Sequence, residues 1–145
     1  MYDDVLVPTD GGDEMDEVLD HAITIAGDHD ATVHGLYVVN KRLYLASEKE
    51  RQDDVIEELR QEGERAVSRV ADRAAEAGLD AVSEVRQGVP GREVLTYADE
   101  ADIDLVVMGT HDPTDRDRPA TLGSVADRVT NEASVPVLTV RLDGD

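Results

Sequence analysis

Two short stretches in the last third of the sequence have the residue types of an anion-binding site. In the first, an apolar run ends in Gly109 and is followed by Thr110 and His111; in the second, Gly123 and Ser124 open an amphipathic segment. Glycines let backbone N–H groups approach a ligand closely, and the start of a helix adds partial positive charge. The pattern indicates a strand, a loop and a helix that together hold an anionic group such as a phosphate.

A second group of candidate ligand-binding residues follows the first apolar run, where Pro8, Thr9 and Asp10 precede two glycines. Ligands of open parallel sheets bind outside the carboxyl ends of the strands, so Asp10 is placed to accept a hydrogen bond from a ligand. The alternative is that Asp10 stabilises a glycine-rich turn or caps the next helix. For Ser124 the alternatives are likewise helix capping and ligand binding.

Other motifs that carry chemistry are weak in this sequence. It contains no Gly-x-x-x-x-Gly-Lys-Ser/Thr phosphate loop, no Gly-x-Gly-x-x-Gly and no His-Glu-x-x-His. Of the four histidines, at most His111 is close to the proposed site. Arg116 and Arg118 either belong to a solvated loop or pair with a phosphate. We identify no catalytic residue and no metal-ligand pattern, and therefore do not expect fast catalysis.

The elements that must position these residues are predicted from the spacing of apolar side chains, which alternates between strand-like and helix-like along the chain. Gly27 and Gly78 are expected to end the first two helices, and Gly63 to interrupt the second. The alternation predicts one α/β domain over residues 1–145, with a parallel sheet and helices on both of its faces. Strands are predicted at residues 5–7, 31–39, 81–86, 103–108 and 136–142, helices at 15–26, 55–77, 93–100 and 122–133, and connections at 40–51 and 109–120.

The charge balance is strongly acidic. Asp and Glu number 34 against 14 Lys and Arg, which gives a net charge of −20, and only Lys41 and Lys49 are lysines. Such a surface is a poor partner for nucleic acid, because phosphate binding needs clustered basic residues. A folded, Asp-rich and Lys-poor chain is typical of adaptation to high intracellular salt, where the Debye length falls to about 3 Å near 1 M. An ordinary acidic cytosolic protein is the alternative.

Composition also bears on location. The chain has no cysteine and therefore no disulfide or thiolate chemistry. Its apolar runs are too short to span a bilayer, and its first residues lack the basic region of a signal peptide. We therefore expect a cytoplasmic protein.

Taken together, these residues resemble the universal stress protein family. The resemblance covers essentially the whole chain, and its combination of segments in this order is much more specific than any single motif. It is carried by Val5-Leu6-Val7-Pro8-Thr9-Asp10, Gly88-Val89-Pro90, residues 101–111, Leu122-Gly123-Ser124-Val125-Ala126-Asp127-Arg128-Val129 and Val135-Pro136-Val137-Leu138-Thr139-Val140.

The resemblance implies a Rossmann-like open sheet of five parallel strands in the order 3-2-1-4-5, similar to the adenine nucleotide alpha hydrolases. It also implies a homodimer in which the last strand pairs with its counterpart, here Val137, Leu138, Thr139, Val140 and Arg141. Many members bind ATP, with Mg²⁺ as the expected metal. The implied nucleotide-binding residues are Pro8, Thr9, Asp10, Val38, Met108, Gly109, Thr110, His111, Gly123, Ser124 and Val125.

One segment departs from the pattern of ATP-binding members. Asp112 stands where those members have a second glycine, and ten residues, 113–122, separate it from Gly123, one more than the pattern has. A carboxylate near a phosphate costs about 1 kcal/mol in water and about 4 kcal/mol at an effective dielectric constant of 20.

Three hypotheses follow from the sequence. The first is a regulatory stress-response module with an adenine-nucleotide site; the second is a nucleotide-free dimeric scaffold that acts through unidentified protein partners. The third is an enzyme, by slow ATP hydrolysis or nucleotidyl transfer.

Overall fold

The computed structural model describes residues 2–12, 14–110 and 121–142, without the side chains of residues 121–124. In these ranges the chain alternates between strands and helices from β1 to β5. In chain order the elements are β1 (Asp4–Pro8), α1 (Met15–His29), β2 (Thr32–Asn40), α2 (Lys41–Leu45), a 3-10 turn (Lys49–Arg51), α3 (Gln52–Glu76), β3 (Ala81–Gly88), α4 (Pro90–Glu100), β4 (Leu105–Thr110), α5 (Thr121–Glu132) and β5 (Val137–Arg141).

The strands form one parallel sheet in the order β3-β2-β1-β4-β5. Leu6 of the central strand β1 is in register with His34 of β2 on one side and with Val106 of β4 on the other. The chain thus proceeds outward from β1 to β3 and then returns to the other side of β1. This confirms the predicted order and places the reversal, where such sheets bind ligands, between β1 and β4.

Helices cover both faces of the sheet, as predicted. Because side chains alternate along a strand, Val5 and Val7 of β1 are buried under α1 and α3, whereas Leu6 is buried under α4 and α5. The α1–α3 side includes Val18 and Val70, and the α4–α5 side includes Val129. The strands are therefore buried on both faces, which explains why they are apolar almost without interruption.

Helix α1 does not end at Gly27, so that prediction was wrong. The helix continues to His29, and Asp30 takes the left-handed conformation with φ 55° and donates its N–H to the Ala26 carbonyl. Aspartate tolerates this conformation better than most residues with a side chain. Gly78, with φ 75°, follows the end of α3 as predicted.

The connection predicted at residues 40–51 contains a short helix, α2. The Asn40 side-chain carbonyl accepts a hydrogen bond from the Arg42 N–H at 3.0 Å and so caps it. Several other boundaries differ from prediction; α3, for example, begins at Gln52 rather than at residue 55. Helix α4 begins at Pro90 rather than at residue 93, because proline is compatible with the first turn of a helix. Strand β4 begins at Leu105 and extends to Thr110.

No helix in the described ranges is long and apolar enough to cross a membrane.

Candidate functional site

A cleft of about 400 Å³ opens at the carboxyl ends of β1, β2 and β4. Its size is in the usual range for small-molecule sites. We call it the carboxyl-edge cleft. It is lined by Pro8, Thr9, Asp10, Leu36, Tyr37, Val38, Asn40, Leu43, Leu59, Glu62, Pro90, Val94, Met108 and Val125.

The walls of the carboxyl-edge cleft are largely apolar. Val38 of β2 and Met108 of β4 come from the sheet, and Val94 and Val125 come from the two helices that cover the same face. Met108 and Val94 are almost completely buried, while Val38 and Val125 are partly exposed. Such a surface suits the flat, weakly polar faces of an aromatic base.

The turn after β1 supplies polar groups to the cleft. Thr9 is held in place through its N–H, which donates to the Leu36 carbonyl at 2.9 Å. Its hydroxyl accepts from the Gly11 N–H at 3.0 Å, and Asp10 Oδ1 accepts from the Gly12 N–H at 2.9 Å. Gly11 has φ 81°, a conformation that strains other residues. Asp10 is therefore a turn residue. Its second carboxylate oxygen, Oδ2, takes part in neither of the two hydrogen bonds from Gly11 and Gly12.

Strand β2 and helix α3 bring a tyrosine and a glutamate together at the cleft. Tyr37 of β2 is buried, and Glu62 of α3 is exposed. Burial, and after it the negative charges of Glu62 and Asp10, raise the pKa of Tyr37 to about 12. The phenol therefore stays protonated at neutral pH.

Close packing of β2 and α3 depends on Gly63. A Cβ at this position would overlap the Tyr37 ring, with Cγ of the ring at 2.9 Å. Helix α3 runs through Gly63 without interruption, so the predicted break was wrong. The glycine instead leaves room for the tyrosine ring.

Helix α2 closes the outer side of the cleft. Asn40 lines the cleft and also caps α2, while Leu43, which is 52% exposed, forms part of the rim. Tyr44 packs on the buried cluster of Tyr37 and Val67 and so attaches α2 to the body of the protein.

Six of the predicted site residues line the carboxyl-edge cleft: Pro8, Thr9, Asp10, Val38, Met108 and Val125. His111 and residues 112–120, including Asp112, lie outside the described residues, as does the side chain of Ser124. The backbone of Gly123 and Ser124 belongs to the first turn of α5.

Gly109 and Thr110 are not among the residues that line the cleft. Gly109 lies within β4 as an extended strand residue and does not form a turn. A Cβ at Gly109 would lie 2.5 Å from Leu142 Cδ1 and 3.2 Å from Val18 Cγ2. The close approach that this glycine permits is with these apolar side chains. The Thr110 carbonyl accepts the Leu142 N–H at 2.8 Å.

Sequence reasoning missed several residues of the cleft. Asn40 and Leu43 had a usable signal, since they directly follow the carboxyl end of β2. Glu62 had none, because it is one of many acidic residues on the exposed side of α3. The missed set comprises Leu36, Tyr37, Asn40, Leu43, Leu59, Glu62, Pro90 and Val94.

The two sides of the cleft differ in charge. Asp10 and Glu62 lie on the α3 side, and their carboxylates disfavour an anionic group there. Helix α5 lies on the opposite side, and the N-terminal end of a helix favours anions. In the described part of the chain, no three His, Asp or Glu side chains are grouped to hold a metal.

Comparison with known proteins gives a consistent result. The universal stress protein family matches residues 1–141. A universal stress protein of Methanocaldococcus jannaschii is 39% identical over 142 residues, which are 97% of this chain and 83% of that protein. A solved structure of a second protein from that organism has a TM-score of 0.84 at 23% identity and covers 100% of this chain and 99% of its own. A universal stress protein solved in complex with cAMP has a TM-score of 0.72 at 26% identity, covering 97% and 98% of the two chains.

An open five-stranded parallel sheet with a cleft at the carboxyl ends of its strands defines a Rossmann-like α/β protein. The chain belongs to the universal stress protein family.

Proposed function

We propose that this protein is a cytoplasmic regulatory module of the stress response that binds an adenine nucleotide in the carboxyl-edge cleft. The observation that carries the proposal is the position and lining of that cleft. It lies where open parallel sheets bind ligands, and its apolar walls end in a few hydrogen-bonding groups.

The two ends of the cleft differ in a way that orients the nucleotide. Asp10 and Glu62 make the α3 end negative, so the phosphates extend towards α5. There, the backbone of Gly123 and Ser124 belongs to the first turn of a helix, and Val125 directly follows them. We assign ribose and phosphate binding to these residues with Met108, and base binding to the Asp10 and Val38 side. ATP would bring Mg²⁺ with its phosphates.

A relative supports this class of ligand, since a universal stress protein 26% identical to this chain was solved in complex with cAMP. Binding would act by shifting equilibria between dimers or protein partners, since a ligand favours the state that it binds more tightly. The family is generally regulatory rather than enzymatic, and the cleft residues described here include no activated nucleophile beside a general base.

The test is calorimetric titration with ATP and Mg²⁺, and separately with cAMP, in molar KCl. We expect saturable binding by the wild type, and loss of binding in Val38→Phe, which fills the base side of the cleft. Leu45→Phe is the matched control, since Leu45 is exposed on α2 and does not line the cleft. Absence of both heat and a thermal shift at millimolar ATP and cAMP would sink the proposal in favour of a nucleotide-free scaffold.

We also propose a homodimer through β5, residues Val137, Leu138, Thr139, Val140 and Arg141. This strand is an edge of the sheet. The Pro136 carbonyl accepts the Val106 N–H and the Leu142 N–H donates to Thr110, so the even-numbered residues bond towards β4. By alternation, the backbone groups of the odd-numbered residues face outward and are available to a second copy.

The dimer is tested by sedimentation of two variants at one position. Thr139→Pro removes an outward N–H, and we expect a monomer, whereas Thr139→Val keeps the N–H and is expected to remain dimeric. A Thr139→Pro protein that stays dimeric, or a monomeric wild type, contradicts this interface.

We further propose that the protein works at high intracellular salt. The net charge of −20 and the presence of only two lysines support this. Concentrated salt screens the self-repulsion that such a charge produces.

A further inference from the structure

Glu62 lies at the point where α3 meets the turn after β1. Gly11, which directly follows Asp10, is close to Glu62 and Tyr37: a Cβ on Gly11 would lie 3.9 Å from Glu62 Cγ and 4.0 Å from Tyr37 Cε2. Asp10 and Glu62 both line the carboxyl-edge cleft, and both act electrostatically on the Tyr37 phenol. The fold thus brings two carboxylates from distant parts of the sequence to one end of the cleft.

Tyr37 lies beside Glu62 at this end of the cleft, and both residues line it. The tyrosine ring is fixed between β2 and α3, because it is buried against Gly63. Glu62 is exposed, and its negative charge acts on the Tyr37 phenol.

The turn after β1 holds Asp10. Its Oδ1 atom accepts the Gly12 N–H at 2.9 Å, which orients the carboxylate within the turn. Ionised carboxylates accept hydrogen bonds and do not donate them. A ligand group that contacts both carboxylates must therefore donate to them.

We propose that Glu62 is a base-recognition residue that acts with Asp10 on the exocyclic amino group of adenine. The inference rests on the proposed nucleotide function. An amino group has two N–H donors, one for each carboxylate. Hypoxanthine has a carbonyl oxygen at the same position. That oxygen is a hydrogen-bond acceptor, so the two carboxylates would repel it. Such repulsion discriminates against the wrong ligand.

The test compares AMP with IMP, which differ at this position of the base. We expect wild-type protein, titrated in molar KCl, to bind AMP about tenfold more tightly than IMP, an effect of roughly 1.4 kcal/mol. Glu62→Gln replaces an acceptor with a group that both donates and accepts. It should weaken AMP binding and strengthen IMP binding, so the affinity ratio falls towards one.

A matched variant separates recognition from general effects. Glu58→Gln removes the same charge from α3, one turn away, at an exposed position that does not line the cleft. It should keep the wild-type ratio. Thermal melting without nucleotide establishes that each variant is folded.

The results distinguish this inference from the function on which it rests. If AMP and IMP bind and Glu62→Gln leaves their affinity ratio unchanged, the role of Glu62 is wrong while nucleotide binding stands. If neither nucleotide binds to wild type or to Glu58→Gln, the proposed function itself fails and this inference fails with it.

Discussion

Gly63 of α3 lies directly against the ring of Tyr37 on β2, so closely that a Cβ at Gly63 would overlap the ring. This contact connects the packing of the protein with its candidate site. It sets the separation of helix and sheet on the α3 side, and it holds a tyrosine that lines the cleft together with Glu62.

Gly63→Ala should destabilise the protein despite the better helix propensity of alanine. Alanine in a helix interior contributes about 1 kcal/mol relative to glycine. The added Cβ has to displace Tyr37, and such overpacking costs about 1–3 kcal/mol. We expect a net loss in the free energy of unfolding, measured by denaturant titration.

The matched control is Gly27→Ala in α1. Gly27 also lies within a helix, but a Cβ there would meet nothing within 4 Å. This variant should gain roughly 0.5–1 kcal/mol. Equal effects of the two substitutions would show that helix propensity alone governs both positions.

The raised pKa of Tyr37 predicts a loss of stability at high pH. Below the ordinary tyrosine pKa of 10, the residue is protonated in both folded and unfolded chains. Between pH 10 and about 12 the unfolded chain releases the proton while the folded chain retains it, so folding becomes less favourable as the pH rises. The stability of wild type relative to Tyr37→Phe should fall by about 2–3 kcal/mol over this interval. Parallel pH–stability curves for the two proteins would contradict the prediction.

Removal of the hydroxyl group of a second buried tyrosine, Tyr97, should also lower the stability of the protein, for a different reason. The Tyr97 hydroxyl lies 2.7 Å from His34 Nδ1, and His34 Nε2 lies 2.9 Å from Asp4 Oδ1. The carboxylate accepts from Nε2–H, so Nδ1 accepts from the phenol, whose pKa is raised mainly by burial. Tyr97→Phe leaves Nδ1 buried without a partner and should cost about 1–3 kcal/mol of unfolding free energy.

The control for this substitution is Tyr44→Phe. It makes the same chemical change at a partly exposed tyrosine whose hydroxyl has no hydrogen bond within the described ranges. We expect a change within about 0.5 kcal/mol. A Tyr97→Phe protein as stable as this control would mean that water or a rearrangement satisfies His34.

The net charge of −20 predicts that stability rises with salt concentration. Raising KCl from about 0.1 M to about 1 M shortens the Debye length from about 10 Å to about 3 Å and screens the repulsion among carboxylates. We expect the melting temperature to rise by roughly 10 °C, equivalent to about 3 kcal/mol for a domain of this size. An equal osmolality of sorbitol, which carries no charge, is the control. A melting temperature that responds equally to KCl and sorbitol would contradict a mechanism based on screening.

The sequence by itself determined the architecture, because the period of its apolar residues distinguishes strands buried on both faces from helices with one buried stripe. It also placed Asp10, Val38 and Met108 at one edge, since the carboxyl ends of parallel strands meet there. The strand order came from the resemblance of many short segments to one family, and the sheet has that order.

Tertiary structure alone decided which other residues join them. Glu62 is 52 positions from Asp10 in the sequence, and only the packing of α3 against β2 brings the two carboxylates to one end of the cleft. The tertiary structure also decided which face of the sheet each residue lies on. Met108 faces the cleft, whereas its neighbour Gly109 makes room for Leu142 and Val18 on the opposite face. Local sequence patterns do not contain this information, because it arises from contacts between elements far apart in the chain.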